Sequence, residues 1–226
     1  MYPPSANTHL DIGELRRGVW LPWLVVMDDF LRDPDALRSK ALGMAYAGLG
    51  NYPGRNSVGK IRLDGLTENI SSLVHEPLHT PWTEGYSHQN CRLALASDDT
   101  PGRVHIDTSH WTGILCLSRD EDTRGGTEFF RHRRTGTDRL PLTQASLAAA
   151  GYRSYAELDA DILQKDALDR SKWDLILSVP MRYNRLILIQ PYFWHTAGPG
   201  FGDCVENGRL VYLMFFNRVP RVPRPG

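Results

Sequence analysis

From Cys91 onward, apolar and polar positions alternate, or gather into short runs, at the spacing expected of β-strands. The segments are CRLALAS (91–97), RVHID (103–107), TGILCLS (112–118), TEFFRH (127–132), DLILSV (174–179), RLILIQ (185–190), YFWHTA (192–197) and RLVYLMFFN (209–217). Glycine, proline, aspartate and asparagine separate them, as turns between short strands require. Eight such strands predict a mainly β fold, a double-sheet jelly roll or related barrel whose core spans 91–217. One interruption, from about Gly136 to Lys172, has helical spacing at Leu158, Ile162 and Leu163, with Ser154 and Glu157 placed for a capping box. This predicts a helical insert packed on the roll.

Upstream, WLVVMDDFLRDPDALRSKAL (23–42) predicts a strand, a turn and an N-terminal helix. Val25 and Val26 suit the strand, Asp33 the helix cap, Pro34 the first helical position and Asp35 the positive helix end. Gly48 to Ser57 is dense in turn residues and predicts a loop that could overhang a site, with Arg55 as its one charge, expected to be solvated. The end of the chain, RVPRVPRPG, is expected to be extended or disordered.

At 226 residues and 41% hydrophobic content, the chain (1–226) is expected to be one globular domain. Its 26 basic and 26 acidic residues cancel, which argues against a nucleic acid or anionic membrane partner and favours a small, locally recognised substrate. Cys91, Cys116 and Cys204 form no CxxC pair and are expected to be reduced core thiols. The amino-terminal residues lack the order of a signal peptide, and the longest apolar stretch is too short for a bilayer, so the expected location is cytoplasmic.

His105 and Asp107 lie one residue apart on a predicted strand, so their side chains leave the same face and can grip one ion. That spacing alone equally fits a hydrogen-bonded surface pair. The remote half changes the balance. His195 sits in YFWHTA, and after a turn containing Gly198, Gly200, Gly202 and Gly208, Arg209 opens the next strand. Two adjacent strands would then present a histidine and an arginine to one cavity. A His-Asp-His facial triad leaves coordination positions open, as in non-haem iron(II) oxygenases and unlike a closed structural zinc site. A 2-oxo acid can fill two positions and dioxygen the third. Its far carboxylate then needs a fixed cation, for which the planar fork of Arg209 is suited.

With His105-Ile106-Asp107, Gly125-Gly126-Thr127-Glu128-Phe129-Phe130, His195 and Arg209 in this order, the segment from Cys91 to Asn217 resembles the 2-oxoglutarate/iron(II) dioxygenase superfamily, especially its prolyl-hydroxylase-like members. The resemblance implies a double-stranded β-helix, iron(II) held by His105, Asp107 and His195, and the co-substrate 2-oxoglutarate anchored by Arg209. Many relatives carry serine or threonine two residues after that arginine, whereas this chain has Val211. The implied reaction is hydroxylation of an amino acid, a peptidyl residue or a small biosynthetic intermediate, with dioxygen as oxidant. Asp107 fills the place that halogenating members leave vacant.

Other residues carry less. Gly125 and Gly126 suit a tight turn, and Phe129 and Phe130 suit a core. His110 and Trp111 could line the pocket or be structural; Tyr183, Asn184 and Arg185 could reach substrate or form a strand-entry turn. His9, His75, His79, His88 and His132 have no convincing metal spacing. Two other readings stay open: a cupin-like metalloenzyme that uses no 2-oxo acid, and a metal-free jelly-roll binding protein.

Overall fold

Short β-branched and aliphatic runs can bury both faces only inside a layered sheet structure, and this chain forms one. The structure, a computed structural model, describes residues 8–9, 18–49, 52–80, 86–98 and 102–220. In chain order the elements are β1 (Thr8–His9), β2 (Gly18–Leu21), β3 (Leu24–Met27), α1 (Pro34–Leu42), β4 (Tyr46–Leu49), β5 (Arg55–Ser57), β6 (Leu63–Asp64), α2 (Leu66–Val74) and β7 (Leu78–His79). There follow β8 (Cys91–Ala94), β9 (Trp111–Cys116), β10 (Gly126–His132), α3 (Gln144–Ala149), α4 (Tyr155–Leu158), β11 (Trp173–Pro180), β12 (Leu186–Ile189), β13 (His195–Ala197) and β14 (Arg209–Arg218). Among the described residues no helix is long and apolar enough to cross a membrane.

The fold is mainly β, jelly-roll-like, with antiparallel pairing throughout its two main sheets. The large sheet runs β2-β3-β12-β9-β14-β8-β5-β4, with β7 joining β14 at one end; the small one runs β11-β10-β13. Strand β14 shows how the layers divide. Leu210, Tyr212, Met214 and Phe216 point outward and pack with Leu37 and Ala41 of α1 and Leu66 and Ile70 of α2. Each such aliphatic or phenyl side chain, once buried, contributes about 1.5–3 kcal/mol. Arg209, Val211, Leu213 and Phe215 take the opposite, inner face, as the two-residue period demands. A second core, with Leu24, Val26, Phe129, Val179, Ile187, Ile189 and Phe193, fills the space between the sheets.

Several expectations hold. Strand β3 carries Val25 and Val26, and Asp33 accepts the Ala36 amide at 3.0 Å with Pro34 at the start of α1. The insert packs Leu147, Leu158 and Ile162 against Phe130, Trp173 and Trp194 on the outer side of the small sheet. Its capping differs from expectation. Ser154 accepts the Glu157 amide at 3.2 Å, but the Glu157 carboxylate takes the Arg153 amide instead, so only half of that box forms. The reciprocal box lies one helix earlier, between Thr143 and Ser146.

The stretch from Gly48 to Ser57 is not a loop throughout: β4 and β5 frame it, and residues 50–51 lie outside the described set. Arg55 is not a solvated charge either; it pairs at 2.9 Å with Asp98, whose side chain is buried. Cys91 and Cys116 are buried free thiols, but Cys204 is exposed. Most of the residues read for a leader, 1–7 and 10–17, and the last six of the proline-arginine end lie outside the described residues.

Candidate metal centre

The segment carrying His105 and Asp107 is extended but is not a strand. It meets β13 at one point, where the His105 and His195 amides and carbonyls exchange hydrogen bonds of 2.9 and 3.1 Å. The Asp107 amide donates to the Pro191 carbonyl at 3.1 Å. Val104 and Ile106 are drawn outward into the core formed with the insert. Residues of the opposite parity, His105 and Asp107, therefore turn inward together. His195 arrives from β13, whose other neighbour, β10, sets Phe129 opposite it.

One ligand atom from each of His105, Asp107 and His195 lies within 4.8 Å of the others. The two histidines are oriented by the same device. His105 Nδ1 lies 3.0 Å from the Arg103 carbonyl and His195 Nδ1 lies 2.8 Å from the Phe193 carbonyl, in each case two residues earlier. A carbonyl only accepts, so each Nδ1 carries the proton and each Nε2 keeps its lone pair for a metal. Those Nε2 atoms face the Asp107 carboxylate, at 3.9 Å for His105 and 3.7 Å for His195. Three electron-rich atoms turned toward one another repel unless a cation lies among them, so the donor set fits a divalent ion.

Electrostatics supports that state. Burial, then the neighbouring His195, pushes His105 down to about 4, which keeps its ring neutral at pH 7. Burial pushes the Asp107 carboxyl up, but His195 and His105, which carry charge in the acid range where it titrates, together with the Thr112 hydroxyl outweigh it and hold the group down at about 2. Thr112, on the inner face of β9, donates to Asp107 Oδ2 at 2.7 Å and its oxygen lies 2.8 Å from the Ser109 hydroxyl. This short relay fixes the carboxylate with its second oxygen free for metal.

Arg209 lies on the inner face of β14 with Val211, and Val211 packs with Cys116, Met181 and Phe201. Arg209 is 4% exposed, and its Nε finds no acceptor. Among the described residues no acid pairs with it. The expectation that β13 and β14 are neighbours is corrected: consecutive in the chain, they belong to different sheets.

The remaining candidates have structural employment. His110 pairs with Glu76 at 2.7 Å, and Trp111 is buried against the helices. Tyr183 bonds Asp35, Arg185 grips Asp28, and Asn184, with φ 59°, brackets the Leu31 backbone at 2.9 and 2.8 Å. Phe129 and Phe130 are core. Gly125 adopts φ +63°, and a Cβ on Gly126 would meet the Val179 carbonyl at 1.9 Å. His132 is spoken for by Asp166 at 3.0 Å.

Sequence reasoning missed three residues. The Tyr52 ring packs on the His105 ring at 4.4 Å between centroids, from the stretch expected to overhang a site. Arg92, on the inner face of β8, holds that stretch through the carbonyls of Pro53 and Tyr52 at 2.8 Å each and Asn56 Oδ1 at 3.1 Å. Thr112 gives no signal in sequence, since only the packing of β9 brings it to Asp107.

No curated protein matches the chain. Among solved structures, a novel N-substituted L-amino acid dioxygenase from Burkholderia ambifaria AMMD is similar with a TM-score of 0.40 and 16% identity, over 88% of this chain and 86% of that one. A structure of such a dioxygenase from the same organism, in complex with alpha-KG, gives 0.39 and 14% over the same shares. Residues 21–216, which include the triad and Arg209, match the model of a family of unknown function, DUF6445, and the chain belongs to that family.

Proposed function

We propose that the protein is a non-haem iron(II), 2-oxoglutarate-dependent oxygenase on a double-stranded β-helix, hydroxylating an amino acid, a peptidyl residue or a small biosynthetic intermediate. The observation that carries this reading is the buried, acid-free guanidinium of Arg209 inside the same roll that converges His105, Asp107 and His195. A buried cation without a counter-ion is costly and is expected where a ligand brings the anion. The strand order supports the fold assignment: β8-β14-β9-β12 faces β11-β10-β13, with the His105 segment bridging to β13.

In this reading His105 and His195 give Nε2 and Asp107 one carboxylate oxygen to iron(II), and Arg209 takes the distal carboxylate of 2-oxoglutarate. Bound iron, 2-oxoglutarate and dioxygen supply an oxidation that yields succinate and carbon dioxide, one oxygen atom entering succinate and the other the substrate. The protein's own work is orientation. Thr112 keeps Asp107 from rotating, the two backbone carbonyls fix the imidazoles, and Tyr52 covers His105 against water. A cupin-like reading leaves Arg209 without an anion, and a metal-free reading leaves the three lone pairs opposed.

The test is succinate formation from 2-oxoglutarate with iron(II), ascorbate and oxygen, alongside metal stoichiometry with manganese(II). Wild type should bind one ion and turn over slowly without substrate. His195→Ala and Arg209→Ala should abolish succinate, and Asp107→Ala should lose the ion. Turnover unchanged in Arg209→Ala, or equal metal binding by Asp107→Ala, would overturn the proposal.

A further inference from the structure

The charges inside the roll do not balance once the proposed co-substrate is accounted for. A divalent ion on Asp107 keeps one net positive charge, and Arg209 adds another; the two carboxylates of 2-oxoglutarate match both. Arg92 and Arg103 remain, and among the described residues neither has a carboxylate partner. Every nitrogen of Arg92 is already engaged by the protein. Its Nε and both terminal nitrogens are bonded to Pro53, Asn56, Tyr52 and, at 3.5 Å, Gly54. It positions the Tyr52 segment, and its guanidinium lies 5.8 Å from the centre of that ring.

Arg103 is different. Two residues before His105, it shares the inward face, while Val104 between them is fully buried in the outer core. One terminal nitrogen donates to the Leu163 carbonyl at 2.8 Å, which tethers the side chain to the insert. Its Nε and second terminal nitrogen have no protein partner among the described residues, and the residue is half-buried. The Tyr52 ring packs on the His105 ring at 4.4 Å between centroids, so Arg103, two residues before that histidine on the same face, lies beside this pair. A half-buried guanidinium, held at one corner and without a carboxylate partner, is suited to receive a carboxylate.

We propose that Arg103 binds the primary substrate and that this substrate is a carboxylate, docked between Arg103 and the Tyr52 ring. This rests on the oxygenase reading of the same centre. It selects, among amino acids, peptides and small intermediates, those presenting a free acid near the carbon to be oxidised.

The test uses the full chain loaded with manganese(II) and 2-oxoglutarate, which binds without turnover. Probes are the protein amino acids, straight-chain monocarboxylic acids and tripeptides, each as the free acid and as the primary amide, followed by calorimetry or thermal shift. At least one acid should bind about tenfold or more tighter than its amide, the equivalent of one charge-assisted hydrogen bond of roughly 1.5 kcal/mol. Arg103→Gln should erase that preference and Arg103→Lys retain part of it, both with unchanged 2-oxoglutarate affinity. Whether the responding acid is free or the end of a tripeptide identifies the source of the carboxylate. No acid gaining on its amide, or a preference surviving Arg103→Gln, overturns the proposal. Failure of wild type to bind 2-oxoglutarate at all instead overturns the oxygenase reading beneath it.

Discussion

Replacing Arg209 by methionine separates a ligand anchor from a structural cation, because the two roles move stability in opposite directions. Methionine keeps the length and apolar stem of the side chain. It removes a charge that is 4% exposed and a buried Nε donor that finds no acceptor. Leaving such a donor unsatisfied costs about 1–3 kcal/mol, so the ligand-free variant should be more stable than wild type by that order. For a chain of this size each kcal/mol moves Tm by about 2–4 °C. Binding should respond the other way. Losing a desolvated guanidinium-carboxylate pair costs about 2–5 kcal/mol, a weakening of 2-oxoglutarate by a factor of roughly thirty to several thousand. The assay is urea or thermal denaturation of the manganese(II)-loaded protein with and without 2-oxoglutarate. Wild type should gain stability from the ligand and Arg209→Met should not. A variant several kcal/mol less stable without ligand, yet binding 2-oxoglutarate normally, would refute the reasoning and make Arg209 a structural residue.

Thr112→Val removes the 2.7 Å hydrogen bond to Asp107 without altering volume, and should weaken manganese(II) binding by about 10- to 100-fold, read by calorimetry, with the fold intact by circular dichroism. His88 is held down to about 4 by burial and then by Lys60, so the fold favours its neutral ring. Its contribution is fully present above the unfolded value near 6.5 and is lost as pH falls toward about 4. Urea denaturation should show stability falling over that window by about 1–3 kcal/mol more in wild type than in His88→Asn. Asp166→Ala strands the fully buried His132, whose Nε2 lies 3.0 Å from that carboxylate, and should cost about 1–3 kcal/mol while opening the insert to limited proteolysis. Gly126→Ala forces a Cβ to within 1.9 Å of the Val179 carbonyl; displacement of β10, and with it of β13, should lower Tm by several degrees and weaken metal binding.

The three side chains that the structure gathers, His105, Asp107 and His195, were legible in the chain as one candidate group. The two-residue spacing of His105 and Asp107, the later His195, and Arg209 at the start of a strand are local patterns, and the strand period placed nearly every β element of the roll. The tight turn at Gly125-Gly126 and the cap at Asp33 could be read because they depend on backbone conformation within a few residues. What the sequence could not determine was pairing. Only the tertiary structure set β13 and β14 in different sheets, reduced the His105 segment to a single bridge, buried Asp98 against Arg55, and brought Thr112 and Tyr52 to the triad. These are contacts between separate elements, tens of residues apart for Tyr52 with His105 and for Arg55 with Asp98, chosen by which faces must be buried together. Periodicity fixes the face a side chain takes, but the neighbour across the roll is settled by packing of the whole chain.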